Sequence, residues 1–93
     1  MTLRSYKNNG LKELFGTGKS AKTGKEYQKT TLMILDLLDN IAQISDCYGV
    51  RDFHELKKQQ RPGTYAMKVS GNWRIHFQMG RKDVYDVDFE DYH

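Results

Sequence analysis

Apolar and polar residues alternate with a period of two from Asn72 to Gln78. Trp73, Ile75 and Phe77 fall on one side, and Asn72, Arg74, His76 and Gln78 on the other. That period belongs to a strand with one buried face. Ser70-Gly71 lies where a tight hairpin can close. Thr64–Val69 repeats the pattern through Tyr65, Met67 and Val69. Val84–Glu90 sets Tyr85, Val87 and Phe89 against exposed Asp86, Asp88 and Glu90. Three antiparallel strands are therefore predicted over 64–90. Further upstream, Leu3–Tyr6 reads as a short first strand and Phe53–Leu56 as another.

The period changes to that of a helix between these strands. Asn8 or Asn9 is placed to cap a short helix through Leu11, Leu14 and Phe15, ended by Gly16-Thr17-Gly18. Thr23 opens a longer helix running to about Ile44. Its apolar stripe is Tyr27, Thr31, Ile34, Leu38 and Ile41, widened by Leu37 and Ala42, while Leu32 falls outside it. The Met33-Ile34-Leu35 run reads as core. Helices early and a meander late predict one α+β domain over residues 1–93, with the N-terminal strand and helices packed on an antiparallel sheet.

Charge adds a second pattern. The net value is only +3, but residues 56–82 carry seven Lys/Arg and no acid. Residues 83–93 carry five acids and no Lys/Arg. The basic stretch is a candidate polyanion footprint; solvated lysines on a sheet edge are the plainer alternative. The opening residues lack the apolar run of a signal peptide, and no apolar run is long enough to span a membrane. The one cysteine, Cys47, cannot form an internal disulfide. A cytoplasmic protein is the expectation.

Candidate chemistry is sparse. The glycines of 16–24 lack the spacing of a phosphate-binding loop. The three histidines, His54, His76 and His93, are not spaced as a metal site, so no metal or other cofactor is expected. Cleavage of RNA without metal needs a base for the 2′-OH, an acid for the leaving 5′-oxygen and cations for the phosphate. His54, Asp91, Tyr92 and His93 are candidates for proton transfer. Arg74, Lys57 and Arg61 are candidates for charge.

Four segments in order resemble the HigB-type toxins of the RelE superfamily. They are Arg4-Ser5-Tyr6-Lys7 with Gly10-Leu11 and Leu14-Phe15; His54-Glu55-Leu56-Lys57; Gly71-Asn72-Trp73-Arg74-Ile75; and Glu90-Asp91-Tyr92-His93. The resemblance implies a small RelE-like fold and the toxin of a type II toxin–antitoxin system. It implies an endoribonuclease that cuts mRNA in the decoding site of the 70S ribosome and so inhibits translation. It also implies a cognate helix-turn-helix antitoxin, through which alone operator DNA is contacted. Carried over by position, it assigns proton transfer to His54, Asp91, Tyr92 and His93. It assigns substrate binding and charge stabilisation to Lys57, Asn72 and Arg74, with Lys58, Arg61 and Lys68 as further substrate-binding candidates. The loop departs from the family pattern at Lys58, which stands for a glycine, and at the added Pro62. A non-catalytic RNA- or DNA-binding module on the same fold is the alternative reading.

Overall fold

The computed structural model describes residues 1–18, 24–56 and 63–91. Two helices, α1 (Asn9–Thr17) and α2 (Lys25–Asn40), lie against one face of a five-stranded sheet. The strands are β1 (Thr2–Leu3), β2 (His54–Glu55), β3 (Thr64–Ser70), β4 (Trp73–Met79) and β5 (Asp83–Asp91), in spatial order β1-β5-β4-β3-β2. Pairing is antiparallel from β2 through β5, as the meander predicts. The exception is β1, which joins β5 in parallel, so the sheet is mixed.

Local chemistry explains the boundaries. Asn8 is extended, and its Oδ1 accepts the Gly10 N–H at 2.8 Å, satisfying a donor that the first turn of α1 leaves open. Gly18 closes α1 in the left-handed region, φ 81°, with its N–H on the Leu14 carbonyl. α2 stops at Asn40, short of the predicted Ile44. The Asp46 carboxylate accepts the N–H groups of Ala42 and Gln43 at 2.9 and 3.2 Å, which fixes a separate 3₁₀ turn over Ile44–Cys47. Thr23, the predicted cap of α2, lies outside the described residues.

The core joins Leu11 and Leu14 of α1, and Ile34, Leu35 and Leu38 of α2, to Met67, Ile75, Phe77, Val84 and Val87 of the sheet. The stripe of α2 is rotated slightly from the one predicted. Leu35 is buried, Leu32 packs partly against the core, and Met33 and Ala42 are exposed. Thr31 is fully buried, and its hydroxyl meets no hydrogen-bond partner among the described residues. Valine keeps the branched shape and removes the stranded hydroxyl. Thr31→Val is therefore expected to stabilise the fold by about 1 kcal/mol, read as a higher urea midpoint at unchanged slope. A lower midpoint would show that the hydroxyl is satisfied.

Strict alternation fails in β5. His76 pairs with Asp88, but Gln78 pairs with Tyr85, so β5 holds one extra residue there. Asp86 takes φ 55° at this bulge. Ser5 pins it: its Oγ accepts the Asp86 N–H at 2.9 Å, and its carbonyl accepts the Val87 N–H at 3.1 Å. The bulge changes the phase of the strand. Val84 and Val87 both reach the core, and Tyr85 moves to the face of Gln78 rather than burying beside Val87.

Candidate active site

The helices cover the sheet face that carries Met67, Ile75 and Phe77, and alternation sends the polar residues to the opposite face. Register sets two rows there. Lys68 lies opposite Arg74, and Arg74 opposite Glu90. Two residues further along, His54, Ala66, His76 and Asp88 form the second row. By ordinary sheet spacings, the Cα atoms of His54 and Arg74 are then roughly 12 Å apart. Their side chains can flank one nucleotide of a single strand.

Two arginines are fixed by backbone carbonyls. Gly71 takes φ 56°, as the first central residue of a II′ hairpin turn requires, and so places Asn72 exposed at the tip between β3 and β4. The Arg74 guanidinium donates from Nη1 to the carbonyls of Gly71, at 2.7 Å, and Trp73, at 3.2 Å. These bonds hold it against the same turn. Beyond β2, the edge of β3 is paired by Arg51 rather than by a strand. Its Nε and Nη2 donate to the carbonyls of Lys68 and Val69 at 2.7 and 2.8 Å, and its own carbonyl accepts the Lys68 N–H. Arg51 and Asp52 are both left-handed, φ 46° and 58°, and deliver the chain into β2.

That turn also fixes a proton. Nδ1 of His54 lies 2.7 Å from the Asp52 carbonyl. A carbonyl only accepts, so Nδ1 carries the hydrogen and neutral His54 presents Nε2 as its basic nitrogen.

Glu90, directly opposite Arg74, also contacts Nδ1 of His76, which is only 3% exposed. Asp91 pairs with Trp73, one residue out of phase with Arg74 and Glu90, at the exposed end of β5. Register therefore brings Lys68, Arg74 and Glu90 together, sets His54 on the same face, and places Asp91 on the other. Lys57, Lys58, Arg61, Tyr92 and His93 lie outside the described residues. Glu90, His76 and Arg51 were missed as supports. Alternation puts His76 and Glu90 on the right face but does not reveal the register that pairs them, and an arginine acting on a strand edge leaves no periodic trace.

Other titratable groups have clear physical settings. Burial, with Asp46 adding negative charge nearby, pushes the Cys47 thiol up to about 11, so it is no nucleophile at neutral pH. Burial also holds the Asp88 carboxyl above its ordinary value. Glu90 raises it further, and the Phe89 N–H and Lys7 pull the other way. The folded state thus favours protonated Asp88. Its contribution to stability is complete below the ordinary aspartate range and is lost as pH rises through its raised value. An asparagine side chain in its place would stay neutral and still accept the Phe89 N–H. Asp88→Asn is therefore expected to melt higher than the parent at pH 7, with the gap closing as pH falls below about 3.9. Thermal melts across that range check it; a lower melting temperature for the variant at pH 7 would refute it.

Among the described residues, no three His, Cys, Asp or Glu side chains are grouped to hold a metal ion. No helix among them is long and apolar enough to cross a membrane.

No family model matches the chain. Against a curated protein, however, the similarity is end to end. The chain is 32% identical over 92 residues to Endoribonuclease HigB of Proteus vulgaris, covering 98% of this chain and 99% of the relative. The chain belongs to the HigB family. As a HigB-family toxin domain, it carries its Lys68–Arg74 pair and His54 on the sheet face left open by the helices, and the α+β fold agrees with the RelE-like domain expected from sequence.

Proposed function

We propose that this HigB-family chain is a metal-independent, ribosome-dependent endoribonuclease that cuts mRNA in the decoding site. The observation that carries the reading is the polar face itself. It combines a backbone-held guanidinium beside a lysine with a histidine whose Nδ1 proton is fixed by the backbone, so that Nε2 is the basic nitrogen. The whole-length similarity to a protein named an endoribonuclease supports it.

In this mechanism Nε2 of His54 takes the proton from a ribose 2′-OH. The 2′-oxygen bonds to phosphorus, and the bond to the 5′-oxygen breaks. The products are a 2′,3′-cyclic phosphate and a 5′-hydroxyl, the leaving oxygen taking its proton from an acid. Arg74 and Lys68 bear the charge that builds on the phosphate oxygens. Lys57, Lys58, Arg61 and Asn72 bind the backbone around that phosphate. Tyr92, His93 and Asp91 are the proposed pool for the acid. Asp91 would have to act from the end of β5, since its register position is not on the Arg74 face. Glu90 and His76 position Arg74.

A site of so few groups relies on its substrate being held in line. The programmed ribosome supplies that orientation. Docking through the basic stretch makes binding weaken as salt rises. The partner that restrains the toxin is a cognate helix-turn-helix antitoxin, and the cytoplasm is where such a target is met.

The test is purified chain with ribosomes carrying an end-labelled message. Cleavage on ribosomes, little on free RNA, and none when a 2′-deoxyribose occupies the cut position are expected. Cutting at the deoxy position would refute the 2′-OH route. Equal cutting of free RNA would refute ribosome dependence. Deleting His93 is expected to leave ribosome binding near the parent's and to slow single-turnover cleavage markedly. Equal rates would remove His93 from the pool.

A further inference from the structure

A cleft of about 500 Å³ opens beside β2, away from the Lys68–Arg74 pair and with His54 at its lip. Its walls are aromatic. Phe53 and Tyr65 are stacked, centroids 5.4 Å apart and planes 6° from parallel. Both rings continue onto Phe77, which is fully buried, so the stack is anchored in the core. At the outer end stands Tyr48, 6.1 Å from Phe53 and 67% exposed. A lone exposed tyrosine is ordinary, but this one continues a contiguous aromatic surface through Phe53 and Tyr65. Its backbone is fixed: Tyr48 ends the 3₁₀ turn, its N–H is bonded to the Ser45 carbonyl, and Gly49 follows at φ 78°.

One carboxylate faces this slot. Glu55 lies opposite Tyr65 in the β2–β3 ladder. Its Oε2 accepts the Gly63 N–H at 3.2 Å, and Oε1 has no hydrogen-bond partner among the described residues. Tyr48, Glu55 and Tyr65 all line the one space, and burial first, then the charges of Glu55 and Tyr48, raise the Tyr65 phenol. Aromatic walls select a flat π system. A single acceptor selects a ligand edge that carries N–H donors. A shallow opening admits a ring and leaves what is attached to it outside.

We propose that this cleft is a nucleobase subsite, in which one unpaired RNA base, guanine by preference, stacks on Tyr48 and turns its N–H edge to Glu55. Guanine presents both a ring N–H and an exocyclic amine on that edge, and a carboxylate accepts from both. The subsite rests on the ribonuclease reading for its choice of an RNA base over other flat ligands, because His54 joins the cleft to the polar face. It makes the enzyme a reader of a base flanking the cut as well as a cutter of phosphates.

The test reads binding alone. The full ¹⁵N-labelled chain is titrated with guanosine 5′-monophosphate, uridine 5′-monophosphate and N-acetyl-arginine amide. Guanosine monophosphate is expected to shift the amides of residues 44–55 and Tyr65 at lower concentration than uridine monophosphate. Tyr48→Ala should weaken that binding about 5- to 150-fold. Tyr48→Phe, which keeps the ring, should bind near the parent level, and Glu55→Gln should narrow the preference for guanine. Because Tyr48 is exposed, its truncation leaves the core intact. Shifts confined to the Arg74 face would overturn the subsite, as would arginine amide shifting the cleft when guanosine monophosphate does not, which would give the cleft to a protein partner. The two readings separate cleanly. Ribosomal cleavage without cleft shifts retires the subsite and keeps the enzyme. Cleft shifts without cleavage retire the enzyme and keep the subsite.

Discussion

Arg74→Ala is expected to lower single-turnover cleavage on programmed ribosomes by about 10²–10³-fold, the loss typical of one pre-organised donor to a developing oxyanion. The Gly71 and Trp73 carbonyls hold the guanidinium before any substrate arrives, so little reorganisation is needed during reaction. The change also removes these two bonds, at about 1 kcal/mol each, so the variant should stay folded but melt several degrees below the parent. Lysine at this position should recover part of the rate, since it restores charge but not the fork. Lys68→Ala should cost less, because Lys68 is exposed and its charge is a single mobile point. Parental cleavage by the alanine variant at equal occupancy of the ribosome would remove Arg74 from the mechanism.

Phe77→Ala is expected to cost about 3–5 kcal/mol of folding stability. Phe77 is fully buried at the middle of β4, stacked at 6.2 Å from both Phe53 and Tyr65. That is a large fraction of the about 5–15 kcal/mol that a domain of this size has in total. Trp73, on the same face, should cost less. It is only partly buried, and its ring lies against Phe89, 4.7 Å away, near the sheet's end. Urea denaturation of both variants orders them; a smaller loss for Phe77→Ala than for Trp73→Ala would mean that the core is centred elsewhere.

Much of this could be read from residues whose signal is local. Asn8 caps α1 because a short amide side chain reaches back to a free N–H, and that is written in sequence. The alternation of Trp73, Arg74, Ile75, His76 and Phe77 assigns faces correctly because a strand has a period of two. What escaped depends on distant partners. The phase change in β5 needs Ser5 to hold Asp86, and nothing near Asp86 announces Ser5. The exposure of Met33 follows from where α2 meets the sheet, which its own stripe does not specify. At the candidate site, residue type and position nominate His54 and Arg74, and the family resemblance adds Lys68 and Asn72. The contact of His76 with Glu90, and the place of Asp91 in the Trp73 row, are matters of register between strands.

The parallel docking of β1 on β5 also governs how the molecule comes into being. Thr2 and Leu3 take Asp83 and Val84 as partners, so β1 waits for a segment made about 80 residues later. Until then α1 and α2 exist with their apolar faces lacking part of their cover, because Val84 and Val87 have not arrived. Closures over such long stretches of chain are slow steps, and domains fold as units once the needed segments are present. The row that sets Glu90 against Arg74 cannot assemble before β5 pairs with β4. A ribosome making this chain therefore carries the polar face unassembled until Glu90 has left it.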